Sequence, residues 1–278
     1  MTLTQWLQQA TRQLSDVSPL AADDAKLLLC HQLHVSVSYL YSHADDTLTT
    51  ADLNALQQLL GRAVQDEPIA YIIGQWPFWN IELEVASCTL IPRPDTELLV
   101  EQALALPLPQ NAKVLDLGTG TGAIALALAC NRPLWQVTAV DKIPAAVELA
   151  RRNAKRLAAS NCTILPSNWF SAVTGQYFDL IVSNPPYIEP DDPHLPALKY
   201  EPVSALVAAE QGLADLAIIC QQAPAYLAAN GWLWLEHGYN QAEAVQQLLA
   251  AAGFSHVQSR KDYGDNWRIS GGCLNRSD

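Results

Sequence analysis

Val114-Leu115-Asp116-Leu117-Gly118-Thr119-Gly120-Thr121-Gly122-Ala123-Ile124-Ala125-Leu126 runs an apolar strand into three alternating glycines and then into a helix. Glycines in such a turn let the backbone approach a ligand where a Cβ would clash. The pattern alone is weak, because dinucleotide enzymes use a similar loop and some tight turns bind nothing. Its spacing narrows the choice. A dinucleotide loop places its third glycine three positions after the second, whereas Gly118, Gly120 and Gly122 are evenly spaced and Asp116 precedes them.

Working outward, helix patterns alternate with apolar strand-like runs from about Asp95 onward, which indicates an α/β domain with a mostly parallel sheet covered on both faces. Seven strands are expected, near Lys113–Leu117, Gln136–Val140, Cys162–Leu165, Phe178–Ser183, Gly231–Leu235, His256–Ser259 and Trp267–Cys273. The helices between them include Ala145–Ala159, Leu213–Ala229 and Gln241–Ala251. The implied architecture is a doubly wound, seven-stranded Rossmann-like sheet.

Upstream, residues 1–74 read as a small helical domain. Leu3, Trp6, Leu7, Ala10 and Leu14 form one helical stripe, and Ser18-Pro19 reads as a cap and first-turn proline before Leu20–Leu33. Thr49 with Asp52 three positions on signals a further helix, with Leu53, Leu56, Leu60 and Val64 on its buried side. A last short helix runs from Pro68 to a terminator at Gly74. Residues 75–94 then read as a β-hairpin linker: Ile81, Leu83 and Val85 alternate with Glu82 and Glu84, Leu90-Ile91 offers the return strand, and Pro92-Arg93-Pro94 enforces an extended exit. Residues 95–278 form the α/β domain.

The 278 residues are half hydrophobic, enough for a sizeable core. Asp and Glu outnumber Lys and Arg 28 to 16, and the formal charge of -12 repels a phosphate backbone, which weighs against a nucleic-acid partner. The densest basic group, Arg151, Arg152, Lys155 and Arg156, has the spacing of a solvated helix face. Six cysteines without close pairs, and no histidine at ligand spacing, suggest neither a metal site nor a disulfide framework. Reduced thiols, together with the lack of an apolar run of signal-peptide or membrane-span length, lead us to expect a cytoplasmic enzyme.

The evenly spaced glycines suit the methionine moiety and ribose of S-adenosylmethionine better than a pyrophosphate. Asp141 ends the next strand, where a carboxylate can accept hydrogen bonds from both ribose hydroxyls; the alternative, a helix cap before Pro144, is outweighed by the glycine loop at the right distance. Trp169 could cover the adenine and Asn168 bond its exocyclic amine, unless the segment is a buried aromatic hinge. The strand Phe178–Ser183 ends in Asn184-Pro185-Pro186-Tyr187. Two prolines remove two backbone donors and stiffen the chain, which makes a pocket of acceptors. Acceptors are what a conjugated NH₂ group needs: its lone pair is delocalised until both N–H bonds are held and the nitrogen is aimed at the methyl donor. The Asn184 side-chain oxygen and the Pro185 carbonyl would take those hydrogens, Pro186 would stiffen the site, and Tyr187 would pack on the flat substrate group.

Taken together, Ile91-Pro92-Arg93-Pro94-Asp95-Thr96-Glu97, Asp116 to Gly122, Asp141, Asn184-Pro185-Pro186-Tyr187-Ile188 and Tyr71-Ile72-Ile73-Gly74 before the hairpin resemble the release factor glutamine methyltransferase family, also called PrmC or HemK. The resemblance covers nearly the whole chain. It implies N5-methylation of the glutamine in the Gly-Gly-Gln loop of class I peptide chain release factors, with S-adenosyl-L-methionine converted to S-adenosyl-L-homocysteine. Under it, Gly118, Thr119, Gly120, Thr121, Gly122, Asp141, Trp169 and Asn184 hold the cofactor, Asn184 to Tyr187 hold the glutamine amide, and the helical front domain contacts the release factor. Many relatives carry an acidic residue where this chain has Asn168. An Arg93–carboxylate pair fixing the hairpin is an equally good account of Arg93 and Glu97. Asn-Pro-Pro-Tyr is shared with adenine-N6 methyltransferases of nucleic acids, the main rival, which would need a basic track that this chain lacks. A redox protein using the loop for NAD is a second rival, against which the glycine spacing and the otherwise unexplained Asn-Pro-Pro-Tyr both weigh.

Overall fold

The computed structural model describes residues 1–275, and they separate into two compact units, Met1–Gln75 and Trp76 onward. The first unit holds α1 (Leu3–Leu14), α2 (Ala21–Leu33), α3 (Val37–Ser42), α4 (Thr50–Val64) and α5 (Ile69–Ile73). Hydroxyl caps start three of them. Thr2 forms a capping box with Gln5, and the hydroxyls of Ser36 and Thr49 accept from the N–H groups of Tyr39 and Asp52. The stripe Leu3, Trp6, Ala10 and Leu14 is buried, as are Leu28 and Leu29 of α2 and Leu56 and Leu60 of α4. Gly74 ends α5 at φ +77°, a conformation that costs a glycine nothing. Two details depart from expectation. Ser18 does not cap α2 but accepts from the Leu20 N–H and donates to Asp24. Val64 is exposed because Ala63 completes the i, i+4, i+7 stripe begun by Leu56 and Leu60.

In the second unit, β1 (Gln75–Phe78) and β2 (Ile81–Glu84) make the hairpin, followed by α6 (Glu97–Ala105), β3 (Lys113–Leu117), α7 (Ala123–Asn131), β4 (Gln136–Asp141), α8 (Pro144–Arg156), β5 (Cys162–Pro166), β6 (Phe178–Ser183), α9 (Ala214–Gln222), β7 (Leu227–Glu236), α10 (Ala242–Ala251), β8 (Ser255–Lys261) and β9 (Trp267–Leu274). The large sheet has the order β5-β4-β3-β6-β7-β9-β8. The pairs from β5 to β7 are parallel, and β9 runs antiparallel to both β7 and β8. This is the seven-stranded, mostly parallel, doubly wound sheet expected from the sequence. Side chains alternate between its two covered faces: Val114, Val137, Leu180 and Trp234 enter one core, and Leu115, Val140, Ile181 and Leu233 the other. Helix α7 is apolar all round, and Ala123 to Ala129 are all buried, so it lies between other elements and not at a wet surface.

Strand order reverses at β3, which pairs with β4 on one side and β6 on the other, so Leu117 aligns with both Val140 and Ser183. The carboxyl ends of β3, β4 and β6 therefore open onto one crevice, the usual ligand position in such sheets.

Three local expectations are corrected. The partner of Ile81–Glu84 is Gln75–Phe78, not Leu90-Ile91. A two-residue turn at Trp79-Asn80 closes the hairpin early, and the Ile91 N–H donates to the Glu201 carboxylate instead of to a strand. Helix α9 stops at Gln222, where Pro224 cannot continue the ladder and leaves a 3₁₀ turn, Ala223–Ala225. Ala228 and Ala229, which read as the end of that helix, belong to β7, with Asn230 at φ +60° and an irregular register against β6. The basic face of α8 is also less free than expected: Arg152 and Arg156 pair with Glu84 and Glu82 of β2. Buried Asn153 accepts from the Glu84 N–H at 2.7 Å and donates to the Glu84 carbonyl at 2.9 Å, which ties the hairpin to α8.

Candidate active site

Residue by residue, the crevice starts from Asp116. Its fully buried carboxylate accepts from the Thr119 hydroxyl at 2.6 Å and the Ala125 N–H at 3.3 Å, which fastens the glycine turn to α7 from beneath. Burial is the main influence on this group and pushes its pKa up to about 7, while the two donated hydrogen bonds oppose the shift. Asp141 holds the same turn from the side. One oxygen accepts from the Gly120 N–H at 2.9 Å and the other from the Ile143 N–H at 2.8 Å. Asp141 thus anchors the loop and holds the Ile143 N–H just ahead of α8, and it also lines the crevice wall.

The crevice is an open cleft of about 890 Å³ counted out to solvent. Gly118, Thr119, Gly120, Thr121, Asp141, Trp169, Asn184 and Pro186 all line it, although they lie up to 68 positions apart in the chain. Gly118 and Gly120 have φ of +70° and +56°, and the Trp169 ring sits against Gly118, 3.4 Å from where a Cβ would stand. Trp169 itself adopts φ +48°, a strained conformation for an aromatic residue, over-determined here by the turn that Ser167 and Ser171 make around it.

Four expected residues are not on the wall. Gly122 caps α7, where an added Cβ would meet Leu126 at 2.9 Å, so its need for glycine comes from helix packing. Asn168 is exposed, with its N–H held by the Ser171 hydroxyl; Ser167 takes the wall position. Pro185, which precedes Pro186, is buried. Tyr187 turns inward: its hydroxyl donates to Glu236 at 3.1 Å and its N–H to the Leu206 carbonyl at 3.2 Å. Burial and the neighbouring Glu236 carboxylate raise the phenol pKa.

Asn184 is half-buried and its side-chain NH₂ donates to the Thr96 hydroxyl at 3.1 Å, so the side-chain oxygen is the polar atom left for a ligand. Thr96, Thr89, Leu90, Ser204 and Ala205 are wall residues not singled out from the sequence. Thr96 lies inside the quoted Pro-Arg-Pro-Asp-Thr-Glu segment, so its signal was present. Ser204 and Ala205 belong to an irregular stretch after β6 with no periodic pattern to read. Glu201 organises that stretch: buried, it pairs with Arg93 and accepts from the Ile91 N–H at 3.0 Å. Arg93 therefore does find a carboxylate, but on this stretch and not at Glu97, which accepts from the Trp79 N–H in the hairpin turn. Glu201→Ala strands the Ile91 N–H and one guanidinium face. The variant is expected to lose about 1–3 kcal/mol of stability in urea unfolding, and an unchanged midpoint would show the tie to be superfluous.

A doubly wound sheet with a glycine turn, an acidic residue closing the next strand and an acceptor turn at the adjoining strand end defines a methyltransferase of the Rossmann-like class. Residues 5–74 match the family described as PrmC N-terminal domain, and residues 94–199 match the family described as methyltransferase small domain. The chain is 50% identical to the release factor glutamine methyltransferase of Salmonella typhimurium, covering 98% of this chain and 99% of that protein. It is 48% identical to the Escherichia coli protein of the same name, covering 97% and 98%. A solved methyltransferase from Pyrococcus furiosus shares the fold, with a TM-score of 0.56 at 20% identity over 79% of this chain and 100% of that one. The chain belongs to the release factor glutamine methyltransferase family.

Proposed function

We propose that this enzyme moves the methyl group of S-adenosyl-L-methionine to the side-chain nitrogen, N5, of the glutamine in the Gly-Gly-Gln motif of class I peptide chain release factors. The observation that carries the reading is that Asn184 and the glycine turn share one cleft. The cleft also suits the cofactor. Bare glycine backbone at Gly118 and Gly120, the Asp141 carboxylate and the Trp169 ring face one another there, a donor and acceptor set matched to an amino acid, a ribose and a flat base. Gly118 to Thr121 would hold the methionine part, Asp141 the ribose hydroxyls and Trp169 the adenine. When bound, the cofactor supplies an electrophilic methyl on a sulfonium that is its own leaving group.

The protein's part is orientation. Asn184 Oδ1 accepts one N–H of the glutamine amide and, although Pro185 does not line the open cleft, its carbonyl is assigned the second, which localises the lone pair along the transfer axis. Two consecutive prolines keep these acceptors from relaxing. The proton leaves to water during or after transfer, so no general base is required. Residues 1–74 are assigned to recognition of the release factor body, residues 75–94 to the link and residues 95–278 to methyl transfer. No helix among the described residues is long and apolar enough to cross a membrane, and the substrate, part of the translation machinery, would be met in the cytoplasm.

Mass spectrometry of a release factor before and after incubation with enzyme and cofactor tests the proposal. The expected result is one added methyl on the Gly-Gly-Gln glutamine, with DNA and tRNA unlabelled in parallel reactions. Methylation of nucleic acid alone would overturn the substrate assignment.

A further inference from the structure

We propose that Glu236, acting through the hydroxyl of Thr96, sets the Asn184 amide with its oxygen towards the substrate; the proposal rests on the acceptor role given to Asn184 above. Glu236 is a positioning residue that touches neither substrate nor cofactor. It ends β7, next to the end of β6, and is only 1% exposed. Its Oε1 accepts from Tyr187 and its Oε2 has no hydrogen-bond partner, while the Thr96 hydroxyl lies near enough to the carboxyl group to favour its ionised form. Burying a carboxylate is costly unless it is paired, and its bond from Tyr187 accounts for only one of its two oxygens.

Hydrogen-bond direction supplies the purpose. An ionised carboxylate only accepts, and Glu236 Oε2, buried without a hydrogen-bond partner, is the acceptor towards which the Thr96 hydroxyl would turn its single proton. The Thr96 oxygen then offers only lone pairs to Asn184, and the side-chain NH₂, not the oxygen, must turn towards it, as observed at 3.1 Å. Asn184 Oδ1 is thereby forced to face the cleft. A protonated Glu236 removes the constraint: it can donate to Thr96, freeing the hydroxyl to donate to a flipped Asn184 whose NH₂ would then confront the substrate NH₂.

The surrounding charges place this switch. Arg268 of β9 favours ionisation, and Asp95, on the same 3₁₀ turn as Thr96, opposes it. Arg268 is itself shared with Asp95 and Asp262. His237 beside Glu236 has both ring nitrogens engaged, by the Gly238 carbonyl and the Ser270 hydroxyl, and burial lowers its pKa, which disfavours its charged form. Tyr187 is held in its neutral form by burial and by Glu236 itself. Burial dominates at Glu236 and raises its pKa to about 7. The productive amide orientation therefore gains as pH rises through about 7 and is lost below it.

The test is turnover on a release factor across pH 5.5–9, with cofactor affinity measured alongside. For Glu236→Gln, kcat is expected to fall about tenfold at pH 8 with cofactor affinity intact, and the acidic limb of the kcat profile to disappear, because a neutral amide no longer dictates direction. Thr96→Val should match that loss and Thr96→Ser should restore it; this pair decides the matter if Glu236→Gln does not fold. Wild-type turnover on the release factor with an unchanged Glu236→Gln kcat and acidic limb, or with a fully active Thr96→Val, overturns the proposal alone. A wild type that labels no release factor brings down the substrate reading and this proposal with it.

Discussion

Asn184→Ala is expected to keep its cofactor affinity and lose kcat by a factor on the order of 10²–10³, the usual effect of removing one preorganised hydrogen bond to a developing transition state. The separation of effects follows from where the groups sit. The glycine turn and Asp141 close β3 and β4, and the bonds between them, from the Gly120 N–H to the Asp141 carboxylate and from the Thr119 N–H to the Val140 carbonyl, do not involve β6. Asn184 closes β6 and bonds only Thr96 through its side chain among the described residues. Its oxygen is felt most when the amide nitrogen pyramidalises and its N–H bonds become stronger donors, so kcat should move much further than KM for the release factor. Asn184→Asp keeps an acceptor but cannot donate to Thr96, and should fall between alanine and wild type. Single-turnover methylation at saturating cofactor measures this directly, and an alanine variant within threefold of wild type would remove Asn184 from the chemistry.

Where local pattern and tertiary position agree, the sequence was an adequate guide. Lys113–Leu117 and Phe178–Ser183 are apolar runs bounded by turn residues, and both strands run between those residues in the structure. The meeting of Gly118 with Asn184 followed from topology, because β3 and β6 must adjoin where the strand order reverses. What escaped is of two kinds. Leu90-Ile91 has strand-forming residues, yet its backbone is claimed by Glu201 from 110 positions away, a partner that no window of sequence can show. Tyr187 follows the prolines closely enough to be assigned to the substrate, but a buried acceptor, Glu236, draws its hydroxyl away from the cleft. Glu236 itself left a trace that went unused: it is the one acid closing the run Trp232-Leu233-Trp234-Leu235, at the carboxyl end of a strand, where a charge would otherwise be out of place.

For Asp141→Ala the emphasis reverses, and cofactor affinity is expected to weaken on the order of 10²-fold by calorimetry, with a smaller loss of kcat once cofactor saturates. The carboxylate already accepts one backbone N–H on each oxygen, at 2.9 and 2.8 Å, and has lone-pair capacity for about two more donors, which the ribose hydroxyls would fill. Alanine removes both sets, so weaker binding alone would not separate a missing ribose contact from a slackened loop. A ligand comparison separates them. An S-adenosylhomocysteine analogue lacking both ribose hydroxyls should bind wild type more weakly than the parent compound and lose little further in Asp141→Ala, as expected when variant and analogue delete the same interaction. If the analogue and the parent lose equally in the variant, Asp141 acts through the Gly120 N–H and the ribose has another partner. Unchanged affinity for the parent compound would rule out both roles, since the anchored turn and the ribose contact each depend on this one side chain.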